Sequence, residues 1–339
     1  MKLERISLFI LCVILGFASC KNDDDGDDFV EVEENDRTEQ QLIDNDALVE
    51  FLETHYYNKS VFNANSNPKI ADLEIKSTEG LTISSDADSL LINAVETKTT
   101  TYSDADYEYY ILKINEGGGT SSPAFCDNVY VTYQGYTLDG DLNDLTTSFD
   151  SKVSPYRIDL TVTITAWSLI FPQFNVSDGF IENNDGTVNY TNHGVGVMFV
   201  PSGLAYFSGY INSKQYAPLI FKFELFETTQ NDHDFDGVPS YLEDLNGDGE
   251  FLVSQDLTDD TDDDTDGDGF PDYIDTDDDG DGVLTVYEDL EDMDLEVDSD
   301  GDGDPTNDKE GDGDPTNDDT DGDGIPNYLD PDDTESNNT

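Results

Sequence analysis

The chain has 339 residues and sets 79 acidic side chains against 14 basic ones, a formal charge of −65. A surface of that sign repels phosphates and anionic headgroups, which excludes nucleic acid as a partner and electrostatic adhesion to a membrane. The excess is uneven: residues 231–339 hold 43 of the acids and one base, Lys309, so they carry −42 and leave −23 to the rest.

The chain begins with a leader rather than a fold. Lys2 and Arg5 stand beside an apolar run, ISLFILCVILGFA, that is too short for a comfortable membrane span and reads as a secretory signal over 1–19. It ends FASC, with small residues directly before Cys20. That pattern resembles the lipobox of bacterial lipoproteins, against the alternative of a simple cleaved signal. The resemblance implies that Cys20 becomes a lipidated N-terminus. The membrane is then reached through a lipid anchor only, in an outer-membrane lipoprotein facing the periplasm or the cell surface. The following KNDDDGDD opens an acidic tether over 20–38 and resembles the export signal of surface lipoproteins of the Bacteroidetes. With Cys12 leaving in the signal and Cys20 lipidated, Cys126 has no disulfide partner and is expected to pack as a small apolar residue.

Residues 39–105 form an N-terminal helix and an irregular segment. Over 39–56, Leu42, Ile43, Leu48, Phe51 and Leu52 recur at helical spacing and predict one apolar face, packed on the next domain or on a second copy. Residues 57–105 carry no assignable pattern. From Tyr107 onward the composition turns to Val, Ile, Tyr, Phe and Thr, which is strand chemistry. The segments YEYYILKI, NVYVTYQGYTLDG, RIDLTVTITAW, GVGVMFVPSGLAYF and APLIFKFELFE predict about five antiparallel strands. In the last, Phe221, Phe223 and Leu225 alternate with Lys222 and Glu224, as in a half-buried strand. SLIFPQFNVSDG predicts a short helix. Residues 106–228 therefore read as one α+β domain, a curved antiparallel sheet of about five strands wrapped on a short helix.

Five of these segments, in order, resemble the FKBP-type peptidyl-prolyl cis-trans isomerases. VYVTYQGYTLDG is similar to the family's Val-x-Val-x-Tyr-x-Gly-x-Leu-x-Asp-Gly segment and SFDS to its Phe-Asp-Ser. Trp167, the single tryptophan, follows an alternating segment as the pocket-floor tryptophan does. VPSGLAYF is similar to Ile-Pro-x-x-Leu-Ala-Tyr-Gly, and LIFKFELFE to the closing strand. The resemblance implies a pocket lined by Tyr133, Phe149, Trp167, Tyr206 and Phe221, with Trp167 beneath the proline ring. It also implies that Ile164 offers its N–H and the Tyr206 hydroxyl donates to a substrate carbonyl. Asp150 would stand at the pocket edge and Tyr156 at a usually aromatic position. The implied partners are proline-containing polypeptides, with no catalytic cofactor. Three departures stand out: a segment about two residues short between Pro155 and Trp167, an inserted LNDLTT before Phe149, and Phe207 in place of glycine, expected to crowd the flap.

Residues 231–339 lack the apolar content for a core and read as a disordered tail or a cation-binding array. The repeated Asp-x-Asp-x-Asp-Gly favours the array. Asp232, Asp234, Asp236 and Glu243 occupy positions 1, 3, 5 and 12 of an EF-hand-like loop, with Ser240 at 9. Asp264, Asp266, Asp268, Asp272 and Asp275 form a second loop. Asp277, Asp279, Asp281 and Glu288 form a third, and Asp319, Asp321, Asp323, Asn327 and Asp330 a fourth. Alternate residues of a tight loop can point inward to give a hard cation its six to eight oxygens. Calcium is the structural ion expected. Prolines after the glycines make the loops resemble thrombospondin type 3 repeats more than paired EF-hands. His233 falls at loop position 2, pointing away from an ion, and His55 and His193 stand alone, which argues against a zinc enzyme. The combined expectation is a lipid-anchored prolyl isomerase that assists folding of exported proteins. The alternatives are a non-catalytic binding domain and a calcium-stiffened adhesive stalk.

Overall fold

The computed structural model describes residues 34–63, 65, 67–79, 90–254, 261–288, 290, 314–320 and 322–334. The signal segment, Cys20, most of the tether, the repeat at 301–308 and Asp321 lie outside the described residues. Two units separate at Asn35, and everything below belongs to the second, Asp36–Thr339. No helix among the described residues is long and apolar enough to cross a membrane.

Helix α1, Arg37–Thr54, starts where the Asp36 side chain accepts the Glu39 N–H (2.9 Å). Its buried stripe is Gln40, Gln41, Asp44, Leu48, Phe51 and Leu52, whereas Leu42 and Ile43 are 65% and 61% exposed. The buried face is thus rotated from the apolar one, because polar Asp44 finds partners inside the fold. A short pair follows, β1 (His55–Tyr57) with β2 (Ile75–Ser77).

The main sheet has six strands, one more than expected. β3 (Glu96–Tyr102) and β4 (Ala105–Asn115) form a hairpin whose two loop residues, Ser103 and Asp104, both have positive φ (48° and 60°), as a primed turn requires. β5 (Asn128–Thr137), β6 (Asp150–Asp159), β9 (Gly194–Val200) and β10 (Leu219–Thr229) complete the antiparallel order β3-β4-β9-β10-β5-β6. A separate hairpin joins β7 (Gly179–Glu182) to β8 (Val188–Thr191).

Both faces of this sheet are covered. On one, Tyr133, Met198, Phe221, Phe223 and Leu225 enclose helix α2 (Thr165–Ile170) and the adjoining Phe171 and Phe174. On the other, Tyr110, Val197, Phe199 and Ile220 lie under Leu48, Phe51 and Leu52 of α1, with Leu73, Ile75, Leu91 and Leu142 beside them. The N-terminal residues therefore form a second layer. This changes the reading of β10: Lys222 and Glu224 are buried (2% and 9% exposed), not solvated. Lys222 Nζ donates to the carbonyls of Leu73 (3.1 Å) and Leu142. Glu224 accepts from the Ile70 N–H (3.0 Å) and the Thr132 hydroxyl (2.5 Å). The inserted LNDLTT is a docking point for this layer, since Asn143 exchanges two hydrogen bonds with the Ile75 backbone.

The stretch 161–167 is not a strand. β6 ends at Asp159, whose carboxylate accepts from Thr161 N–H and hydroxyl and caps a 3-10 turn, Leu160–Val162. Val162 is 80% exposed, and Trp167 sits inside α2. Threonine hydroxyls satisfied locally outweigh the alternating pattern here.

The acidic array contains 3-10 turns where EF-hands have helices: Ser240–Leu242, Asp272–Ile274, Thr285–Tyr287 and Asn327–Leu329. Pro239, Pro271 and Pro326 cap three of them. The array rests on the sheet domain. Phe251 stacks on Tyr273 (3.9 Å) and meets Phe125 (5.1 Å), while His233 is 3.2 Å from Asp159.

Candidate functional site

Two arrangements carry chemistry. The first is a group of aromatic rings between α2 and the β5–β10 face. Trp167, 5% exposed, stacks on Phe171 (centroids 4.8 Å, 18°). Tyr133 and Phe221 meet it edge-on at 5.5 and 4.9 Å. Phe149 is edge-on to Phe221 (5.6 Å) and to Tyr206 (6.5 Å), so the rings run from a buried floor to an exposed rim, Tyr206 being 45% exposed. Gly135 permits this packing: a Cβ there would lie 2.6 Å from the Phe221 ring and 2.9 Å from Phe149. The Tyr133 hydroxyl donates to Asp150 Oδ2 (2.7 Å). Burial and that carboxylate push the Tyr133 pKa up, and burial followed by the Asp150 charge does the same to Tyr206. Both phenols therefore stay protonated donors at neutral pH.

Ile164 precedes α2 with extended backbone, and its carbonyl accepts the Trp167 N–H (2.9 Å). No backbone acceptor among the described residues takes the Ile164 N–H. Tyr156 stands apart from the rings, 52% exposed on β6, with Lys152 Nζ 5.2 Å over its face. Phe207 does not crowd the rim. It adopts φ of 43°, is 7% exposed, and packs under Arg37 (4.2 Å) and against Tyr216 (5.0 Å). Cys126 is fully buried, and burial with the adjacent Asp127 charge raises its thiol far from thiolate chemistry. The histidines are held elsewhere: His55 stacks on Phe51, His193 lies 3.7 Å from Glu224, and His233 turns its ring to Ser240, Asp159 and Tyr273. What remains is an apolar cluster of rings with the Tyr133 and Tyr206 hydroxyls at its edge.

The second arrangement is a set of carboxylates. Asp234, Asp236, Glu243 and Asp278 bring one oxygen each within 4.8 Å of one another. Glu243, Asp278 and Asp236 are 0%, 1% and 2% exposed, and both oxygens of Glu243, Asp278 and Asp234 have no hydrogen-bond partner. Burial, then mutual repulsion, pushes Asp278 up to about 11 and Glu243 to about 10, while burial and Asp236 push Asp234 to about 8. Uncompensated buried carboxylates are strongly unfavourable, and a divalent cation at their centre would supply the missing compensation. Oxygen ligands at this mutual spacing suit calcium.

The remaining loops gather in part. Asp264, Asp266 and Asp268 converge, as do Asp277, Asp279 and Asp281. Asp232 accepts the N–H groups of Phe235 and Gly237, Asp272 the N–H and hydroxyl of Thr265, and Asp275 the N–H groups of Thr276 and Asp277. Asp319 accepts from Gly322 and Gly324, Asp323 from Ile325, and Asp330 from Asp332. Glu288 is 5% exposed, its pKa raised to about 9 by burial and the third loop's aspartates. Ser240 serves His233 rather than the carboxylate group. Sequence reading missed Asp278, because position 2 of a loop carries no ligand signal. It also missed a fifth loop, Asp244-Leu-Asn246-Gly-Asp248-Gly249, where the glycine N–H groups bond Asp244 as in the others; its Asp-x-Asn-x-Asp-Gly was legible.

Residues 233–294 match the family model BamM_C, described as BamM C-terminal. The family that the array matches is thus not the thrombospondin one its loops resemble. Among solved structures, a peptidyl-prolyl cis-trans isomerase from Pseudomonas syringae is 19% identical, over 40% of this chain and 82% of its own, with a TM-score of 0.30. FkpA from Escherichia coli is 21% identical, over 40% of this chain and 53% of its own, with a TM-score of 0.29. No curated protein matches the chain.

Proposed function

We propose that the sheet domain is a peptidyl-prolyl cis-trans isomerase of the FKBP type, and that the acidic array is a calcium-held module attached to it. The isomerase reading is carried by one observation: Trp167 forms the floor of a ring cluster whose rim presents the Tyr206 hydroxyl and whose edge holds Ile164. An Xaa–Pro bond twists over a barrier of about 18–20 kcal/mol because twisting breaks amide resonance. The twisted amide is less dipolar than the planar one. An apolar pocket that removes water favours it, and donors that fix the flanking carbonyls hold the peptide in that geometry. No nucleophile or proton transfer is needed. Tyr133 anchors Asp150 beside the rings, and in this reading Phe149 and Phe221 would flank the proline ring.

Calcium would be held by Asp234, Asp236, Glu243 and Asp278, with further ions at Asp264/Asp266/Asp268 and Asp277/Asp279/Asp281. Bound calcium would neutralise the buried carboxylates and fix the array against the sheet domain. In this reading Cys20 carries a lipid anchor, and the clients are proline-containing exported polypeptides.

The test is isomerisation of Xaa–Pro peptides by the purified protein, with and without calcium, beside Trp167→Ala. Acceleration that the variant loses supports the reading. A folded protein that binds proline peptides without acceleration leaves the binding-domain alternative, which the exposed Tyr206 rim also fits.

A further inference from the structure

Helix α1 lies outside the segment that resembles an isomerase, yet it holds the loop that carries Tyr206. Two side chains seven residues apart, hence on one face of the helix, make the connection. Asp44, 1% exposed, accepts with Oδ2 from both the N–H (2.7 Å) and the hydroxyl (2.5 Å) of Ser202, and with Oδ1 from Gln40 (2.8 Å). Arg37 Nη1 donates to the Gly203 carbonyl (3.2 Å) and the Tyr107 hydroxyl (3.3 Å), and its guanidinium covers the Phe207 ring at 4.2 Å.

The loop between these holds is wound around Ser202. The N–H groups of Ala205 and Phe207 both donate to the Ser202 carbonyl (2.9 and 2.8 Å). Phe207 stands in the left-handed region, φ 43°, which costs a bulky residue free energy unless its surroundings enforce it. Gly203 cannot carry a side chain, since a Cβ would lie 2.3 Å from the Tyr107 ring. Ser202 and Leu204 are fully buried while Tyr206 is 45% exposed. The loop is therefore locked at its base, and Tyr206 is the residue turned out of it toward Phe149.

We infer that Asp44 and Arg37 are positioning residues: α1 sets the place of the Tyr206 hydroxyl at the pocket rim, so the isomerase site is completed by a helix outside the sheet domain. This rests on the isomerase reading, and deepens it. A mispositioned donor weakens the hydrogen bond made as the amide twists, so the loss falls on kcat more than on KM.

The experiment compares full-length wild type, Asp44→Ala, Asp44→Asn, Arg37→Met, Tyr206→Phe and the Asp44→Ala/Tyr206→Phe pair, by isomerisation kinetics and by hydrogen exchange. Asp44→Ala is expected to lower kcat about tenfold, the worth of roughly one hydrogen bond. Asp44→Asn, which keeps an acceptor for Ser202, retains most of the activity. The paired variant is no slower than Tyr206→Phe alone, because the clamp acts only through that hydroxyl. Arg37→Met, less buried and a safeguard against misfolding, shows a smaller loss of the same pattern. Exchange of the Ala205 and Phe207 amides rises while β9 and β10 stay protected. Additive losses in the pair, or unchanged exchange at Ala205 and Phe207, overturn the inference. A wild type without activity overturns the isomerase reading instead. Exchange confined to 202–209 in Asp44→Ala then still supports α1 as the clamp, and its absence still refutes it.

Discussion

Replacing Asp278 by asparagine should stabilise the protein without calcium and reduce the further stability that calcium adds. In the calcium-free chain Asp278 is almost fully buried and its carboxyl is held up at about 11, against 3.8 in the unfolded state, because burial and then the charges of Asp236, Asp272 and Glu243 disfavour ionisation. The folded state therefore binds a proton that the unfolded state releases above pH 3.8. Stability is full below that pH and falls as pH rises toward 11. At pH 7 the deficit is on the order of 4 kcal/mol, from about 1.4 kcal/mol per pH unit. Asparagine cannot ionise in either state, so Asp278→Asn recovers that amount in chelator. With calcium most of that gain is lost, since a charged ligand has gone. A hundredfold weaker site lowers the calcium increment by about 2.7 kcal/mol. Urea denaturation of both proteins at pH 7, in chelator and in excess calcium, reads all four values. A variant that is less stable in chelator, or that keeps the wild-type calcium increment, refutes the assignment of Asp278 to a shared cation site.

Other outcomes follow from the packing. Trp167→Leu empties space between Phe171, Tyr133 and Phe221 and should cost about 2–4 kcal/mol in thermal or urea denaturation as well as abolishing isomerisation; a loss of activity with unchanged stability would place Trp167 outside the core. Gly135→Ala drives a methyl into the Phe221 and Phe149 rings and should cost about 1–3 kcal/mol, with a shifted near-ultraviolet circular dichroism spectrum. Lys222 is buried and its pKa is held down to about 8 by desolvation, against 10.5 when unfolded. The unfolded chain binds the extra proton between those values, so stability rises with pH from 8 toward 10 by on the order of 2 kcal/mol. Lys222→Met should flatten that rise in a pH series of denaturation curves, and an unchanged slope would remove Lys222 as its source.

How far the sequence carried the reading varies with the range of the interactions involved. Val129, Val131 and Tyr133 alternate inward along β5, so that strand was legible. The helix 39–56 was legible as a helix, and Leu48, Phe51 and Leu52 are buried as expected, but the rest of its buried face was not legible. Leu42 and Ile43 face solvent, while Asp44 is buried because Ser202, 158 residues away, supplies its hydrogen bonds. The same limit hid the burial of Lys222 and Glu224, whose partners Leu73, Leu142, Ile70 and Thr132 come from distant segments. The turn at Ser103–Asp104 lacks the glycine or asparagine that normally announces positive φ, so β3 went unseen.

The residues of the ring cluster were legible from local motifs, since Tyr133, Phe149, Trp167 and Tyr206 each sit in a recognisable short segment. The segment around Trp167 was misjudged as a strand because Asp159 and the threonines satisfy the backbone locally. In the array, the spacing of alternate aspartates around glycine determined the loops by itself, because ligand direction within a tight turn is a local property. The chain by itself thus determined composition, loop chemistry and most strands, which depend on neighbours in sequence. Only the tertiary structure decided that Asp278 joins a loop more than thirty residues before it and that α1 grips the Tyr206 loop. Burial of a charged or polar side chain is favourable only when a remote partner meets it, and no local pattern encodes that partner.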